Sequence, residues 1–171
     1  MKVLIGEKEL QAKIDELAAA IAADYKDTHP ILICVLKGAV FFIADLVRRL
    51  PFDLEIEFMA VSSYGQSTDS SGVVRILKDL DTDIEGRHVL IVEDIIDSGL
   101  TLQYLTRSLK ARNPASLEVV TLLTKPSRRT ADLKCRYTGF EIPDEFVVGY
   151  GLDHAEKYRN LPYIGVVGDP E

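Results

Sequence analysis

Two hydrophobic patterns alternate along this chain: short continuous apolar runs, and stripes with helical spacing. The first stripe, Leu10, Ile14, Leu17, Ala18, Ile21 and Tyr25, predicts an amphipathic helix over residues 7–25, behind a short apolar strand. Residues 31–36 are apolar throughout, as expected of a parallel strand buried on both faces. Lys37-Gly38 breaks that run, and residues 39–50 return to helical spacing before Pro51. Strands are predicted over 54–61 and, beyond a polar stretch at 62–72, over 73–77. Residues 88–92 form another continuous run. A helix over 100–112 follows, stopped by Asn113-Pro114, and then a strand over 117–123. From Phe140 onward the alternation fades into short strands with glycine- and proline-rich turns.

Strands alternating with helices predict an α/β fold with a mostly parallel central sheet flanked by helices. Such sheets bind ligands at the carboxyl ends of their strands, near the point where the strand order reverses. The positions to examine are therefore Lys37-Gly38, Glu93 to Thr101, and Thr124-Lys125. The tail is expected to form a small lobe over them.

With 171 residues the chain makes one domain of ordinary size, and 47% hydrophobic against 27% charged residues is a globular balance. The net charge of −7 argues against nucleic acid or an anionic membrane as partner, because phosphate backbones are held by surplus Lys and Arg. An anionic small molecule is still compatible, since a local cluster of donors suffices. Cys34 lies inside an apolar run and Cys135 has no evident partner, so neither a disulfide framework nor a metal spacing is present. Residues 1–6 turn polar at once and no apolar stretch reaches membrane-spanning length, so a cytoplasmic, reducing location is expected. His29 and His88 read as structural or solvated. His154, next to Asp153, is not expected to ligate metal directly.

The densest chemistry lies in V-L-I-V-E-D-I-I-D-S-G-L-T over residues 89–101. Glu93 and Asp94 directly follow the apolar run and are placed where a central strand exits the core. Adjacent carboxylates there can hold a divalent cation or accept bonds from sugar hydroxyls. Asp97, Ser98, Gly99, Leu100 and Thr101 enter the next helix, and their backbone N–H groups and hydroxyls suit a terminal phosphate. Asp and Ser before a helix are ordinary caps. Three carboxylates with a glycine-hydroxyl turn exceed what capping requires.

This string resembles the phosphoribosyl-diphosphate-binding motif of type I phosphoribosyltransferases. In the same order, Leu36-Lys37-Gly38, Ser63-Tyr64, Lys125-Pro126, residues 139–153 and Tyr158-Arg159-Asn160-Leu161-Pro162 resemble the hypoxanthine-guanine phosphoribosyltransferases. The resemblance implies a core over about residues 7–138 and a hood over about 1–6 and 139–171, in one domain spanning 1–171. It implies transfer of a phosphoribosyl group from 5-phosphoribosyl 1-diphosphate to N9 of hypoxanthine or guanine, in purine salvage. By it, Glu93 and Asp94 take the ribose hydroxyls, residues 97–101 take the 5′-phosphate, and Asp97 acts as general base at the purine N7. Leu36, Lys37 and Gly38 would meet the pyrophosphate through a cis peptide between Leu36 and Lys37, with Arg159 as a second, forked contact. Lys125 would bond the 6-oxo oxygen, Phe146 would stack on the base, and the Val147 carbonyl would accept from its edge. Asp153, with Glu93 and Asp94, would hold Mg²⁺. Ser63 and Tyr64 would belong to a closing lid. A homodimer or homotetramer is implied as well.

Three rival readings compete with this one. The strand ending Glu93-Asp94 resembles the acidic pair of a signalling receiver domain, but the later strand ends Leu123-Thr124-Lys125 without the required Asp. A non-catalytic nucleic-acid regulator on the same fold is disfavoured by the charge. A xanthine- or adenine-using relative shares the turn motif; the tail disfavours adenine only.

Overall fold

The computed structural model describes residues 1–63 and 74–168. In chain order these form β1 (Lys2–Ile5), α1 (Glu7–Tyr25), β2 (Ile31–Leu36), α2 (Val40–Val47), β3 (Glu55–Ser63), β4 (Val74–Lys78) and β5 (His88–Ile96). There follow α3 (Leu100–Lys110), β6 (Ser116–Thr124), a 3₁₀ turn (Pro126–Arg128), β7 (Tyr137–Glu141), β8 (Val147–Val148) and β9 (Ile164–Val166).

A six-stranded sheet in the order β4-β3-β2-β5-β6-β7 forms the body. Every pairing in it is parallel except β3 with β4. The continuous apolar runs divide by parity between its two faces. Leu32, Cys34, Leu90 and Val92 join the core under α1 and α2, where Leu10, Ile14, Phe42 and Leu46 are fully buried. Ile31, Ile33, Val89 and Ile91 face α3, through Leu102, Leu105 and Leu109. Burial on both faces is why these strands show no polar alternation. The stripe on α1 is the set of its buried residues, and Glu7 and Glu9 lie favourably at its N-terminus.

The order of the strands puts the reversal between β2 and β5. The chain leaves β2 through α2 toward β3 on one side, and leaves β5 through α3 toward β6 on the other. β2 stays paired with β3 as far as Leu36↔Ala60, but with β5 only as far as Cys34↔Val92. Beyond Val92 a gap opens in the sheet, and Glu93 and Asp94 sit at its edge.

Several boundaries differ from the sequence expectation. β5 does not end at Val92 but continues to Ile96, because β6 goes on pairing with it through Ile96↔Thr124. The second helix stops at Val47, where Arg49 and Leu50 N–H turn to carbonyls only three residues back and Pro51 follows. β7 was not expected: its mixed sequence YTGFE has no clear alternation, and pairing with β6 alone defines it. The large sheet therefore reaches Glu141, a little past the expected start of the hood. The hood itself is a three-stranded antiparallel sheet, β1-β9-β8, joining residues from both ends of the chain. Of the expected lid pair, Ser63 is the last residue of β3 and Tyr64 lies outside the described residues.

Candidate active site

The turn after β5 leads straight into the N-terminus of α3. Gly99 caps α3 in the left-handed conformation, with φ +86°. A side chain there would meet Arg129 Cδ at 3.1 Å and Ala131 Cβ at 3.4 Å, so glycine is required by both backbone and space. The Ser98 carbonyl accepts from the N–H groups of Thr130 and Ala131, which brace the turn from behind. Ser98 Oγ accepts from Leu100 N at 3.4 Å. Asp97 Oδ1 accepts from Arg128 Nε at 2.9 Å, a partner that the sequence reading missed. A cavity of about 200 Å³ opens beside the turn, lined by Glu93, Asp97, Ser98, Gly99 and Thr101 among others.

Glu93 is buried and Asp94 partly so. Asp94 Oδ1 accepts from Ile95 N at 2.7 Å. Its other oxygen presses on Gly38, where a Cβ would lie 1.7 Å from Oδ2. Gly38 follows the expected cis peptide, which is present between Leu36 and Lys37. Gly151 closes on the other side of the same residue: a Cβ on it would stand 2.1 Å from the Gly38 carbonyl oxygen.

Burial pushes the Glu93 carboxyl well above the usual carboxylate range, and the charge of Asp94 and a hydrogen bond with it add to the rise. Burial also raises Asp94, opposed by the Ile95 N–H and by the bond with Glu93. Two carboxyls so close disfavour ionising together. Between the ordinary carboxylate value and the raised one, the folded protein binds more protons than the unfolded chain. Stability therefore falls as pH rises through that window, and the full loss is present above it. Glu93→Gln removes the titration while keeping the shape. The melting temperature of this variant relative to the parent should become steadily more favourable as pH rises above the ordinary carboxylate range. A difference that stays flat as pH rises would place both carboxyls at ordinary values.

Arg159 lies between the hood and this pair. Its Nη1 donates to the Gly151 carbonyl at 2.6 Å and its Nη2 to Glu156 Oε1 at 3.1 Å. Asp153 Oδ1 is 3.5 Å from Nη2. Its Nε is buried with no hydrogen-bond partner among the described residues. Lys37 Nζ donates to Glu156 Oε2 at 3.3 Å, so one carboxylate spans both expected pyrophosphate contacts. Glu156 was not singled out from the sequence; its place three residues before Arg159 was the available signal.

Glu93, Asp94 and Asp153, expected to hold Mg²⁺, do not form a ready-made cluster of three or more His, Cys, Asp or Glu among the described residues. Asp153 is turned to Arg159 and to the Glu156 N–H at 2.9 Å. Glu93 and Asp94 are occupied with each other.

The base end is clearer than the sequence allowed. Lys125 follows β6 and is only 8% exposed, which removes the reading of a solvated loop lysine. Its ionic partner among the described residues is Asp144, with Oδ1 at 3.8 Å. Phe146, which without the family resemblance reads as core, is 53% exposed, and His154 packs edge-on against its ring with centroids 5.2 Å apart. Val147 begins β8, buried and paired with Val166.

A strand-to-helix turn, an acidic pair at a gap in a parallel sheet and a cis peptide whose residues line one cavity with Arg159 are the features of the phosphoribosyl-diphosphate-binding fold that the sequence resembles. The chain belongs to the phosphoribosyltransferase family, whose phosphoribosyl transferase domain model matches residues 6–155. The hypoxanthine-guanine phosphoribosyltransferase of Bacillus subtilis (strain 168) is 60% identical over 166 residues, covering 97% of this chain and 92% of that protein. That of Mycobacterium tuberculosis (strain ATCC 25618 / H37Rv) is 57% identical, covering 98% and 86%. Among solved structures, a hypoxanthine-guanine phosphoribosyltransferase of Bacillus anthracis with HEPES in its active site superposes with a TM-score of 0.95 at 50% identity, covering 98% of this chain and 99% of that one. A Staphylococcus aureus hypoxanthine phosphoribosyltransferase gives 0.96 at 49% identity, covering 98% and 91%.

Proposed function

We infer that this protein transfers the 5-phosphoribosyl group of 5-phosphoribosyl 1-diphosphate to N9 of hypoxanthine or guanine, yielding IMP or GMP and pyrophosphate. The observation that carries the reading is the pairing of the phosphate turn after β5 with a buried lysine after the neighbouring β6. One holds the sugar phosphate and the other meets the base, on adjacent strand ends. Nucleotide formation measured with hypoxanthine, guanine, xanthine and adenine tests it. No product from either hypoxanthine or guanine would overturn it.

In this reading residues 97–101 bind the 5′-phosphate through the helix N-terminus, and Glu93 and Asp94 accept from the ribose hydroxyls. Leu36, Lys37 and Gly38 meet the pyrophosphate together with Arg159, whose buried and unpartnered Nε suits an anionic oxygen. The C1′–O bond to pyrophosphate breaks as the N9–C1′ bond forms, and Asp97 takes the proton from N7. The forming sugar cation must be kept from water, a role assigned to a lid carrying Ser63 and Tyr64. The donor chemistry fits Mg²⁺ arriving with the diphosphate, because that ion usually takes one or two carboxylates and keeps its remaining ligands as phosphate and water. Asp153, partly exposed, is the carboxylate for it, with Glu93 and Asp94 holding the sugar hydroxyls beside it. Mg²⁺ would supply charge neutralisation to the departing pyrophosphate. Among the described residues no helix is long and apolar enough to cross a membrane. A cytoplasmic homodimer or homotetramer completes the reading, and sedimentation distinguishes the two assemblies.

Phe146 stacks on the purine, the Val147 carbonyl accepts from its edge, and Lys125 selects it. An ammonium has three donors and no acceptor, so it bonds a 6-oxo oxygen but meets a 6-amino group donor to donor. Lys125→Ala should lower kcat/KM for hypoxanthine about ten- to a hundredfold, the scale of a charged hydrogen bond. Adenine, already a poor substrate, should lose far less. An equal loss for both bases would make Lys125 a general support of the site and end this account of base selection.

A further inference from the structure

Asp144 lies in the loop between β7 and β8, where the chain passes from the large sheet into the hood. The segment is tied to β6 close by, since Ile142 N donates to the Thr124 carbonyl at 2.9 Å, next to Lys125. One Asp144 oxygen, Oδ1, stands 3.8 Å from Lys125 Nζ, and the other, Oδ2, stands 3.7 Å from Arg128 Nη1. Arg128 in turn donates to Asp97 Oδ1 at 2.9 Å. Four side chains of alternating charge, Asp97, Arg128, Asp144 and Lys125, therefore run from the end of the site assigned to the purine N7 to the end assigned to its 6-oxo group.

We propose that Asp144 is a positioning residue for the purine, acting through Lys125. An ammonium as buried as that of Lys125 is costly without a counter-charge. A 6-oxo oxygen is a neutral acceptor and cannot provide that charge. Asp144 provides it from the side as an ion pair at 3.8 Å and leaves the ammonium donors for the base. Its exposed flank also holds Arg128, so the two purine-facing ends share one anchor. The proposal rests on the reading of Lys125 as the base contact.

The test compares four proteins: the parent, Asp144→Asn, Lys125→Ala and the double variant, each checked for an unchanged melting transition. Asp144→Asn should lower kcat/KM for hypoxanthine about five- to twentyfold, within the range of coupling between neighbouring charged groups. The loss should fall on KM for hypoxanthine, with KM for 5-phosphoribosyl 1-diphosphate held within about twofold, and Asp144→Glu should recover most of it. On the Lys125→Ala background the same substitution should cost less than about twofold. Equal losses on both backgrounds, or no loss in the parent, would overturn the proposal. If Lys125→Ala alone changes nothing, the reading of Lys125 fails instead, and the two failures are told apart by that single variant.

Discussion

Asp97→Asn keeps the fold and most of the binding of 5-phosphoribosyl 1-diphosphate, but lowers kcat by about a hundredfold or more, the scale of a lost general base. The phosphate turn survives because its backbone is braced by Thr130 and Ala131 through the Ser98 carbonyl and by the left-handed Gly99, none of which involves the Asp97 side chain. What the variant loses is the carboxylate oxygen that takes the N7 proton. An amide keeps the shape and can still accept from Arg128 through its carbonyl, so a purely structural role for the Asp97–Arg128 pair predicts almost no change. Rates must be taken in a single turnover, because release of product limits many enzymes of this kind and would mask the chemical step. An unchanged single-turnover rate would remove Asp97 from the mechanism.

Removal of divalent metal with excess EDTA stops turnover, while the free protein retains no tightly bound metal. Both halves follow from the same geometry. The carboxylates expected to serve as ligands are not gathered among the described residues: Asp153 faces Arg159, and Glu93 and Asp94 are hydrogen-bonded to each other. A site of that kind has little affinity of its own and needs the oxygens of the diphosphate to complete a coordination sphere. Calorimetry with Mg²⁺ alone should give no measurable heat of binding, and addition of 5-phosphoribosyl 1-diphosphate with Mg²⁺ should give a clear signal. Full activity in EDTA, or tight Mg²⁺ binding to the free protein, would contradict this account.

The parts of the fold and site that were legible in the sequence are those fixed by local pattern. β2 and β5 are continuous apolar runs because both of their faces are covered, and α1 carries its stripe on the face that is buried. The turn over residues 97–101 is local as well, since one glycine and a helix start define it. What stayed hidden depends on partners far along the chain. β7 exists as a strand through its pairing with β6. The place of β1 in the hood, where it pairs with β9 about the whole chain length away, was expected from the family resemblance alone and from no local pattern. The residues missed at the site, Arg128, Asp144 and Glu156, are charged side chains that read as ordinary surface until folding brings Asp97, Lys125 and Arg159 against them. Asp153 turns to Arg159 and to the Glu156 N–H in the same way, contacts that no local pattern shows.

Gly38 is wedged between the Asp94 carboxylate on one side and Gly151 on the other, with no room for a methyl group in either gap. The three segments in contact there come from the end of β2, the interior of β5 and the hood. They are the segments assigned to the pyrophosphate, the ribose and the base with its metal. Because they interlock at a single backbone position, they behave as meshed teeth and not as separate plates. On the proposed assignments, packing at this one position sets the spacing between leaving group and sugar before any ligand is bound.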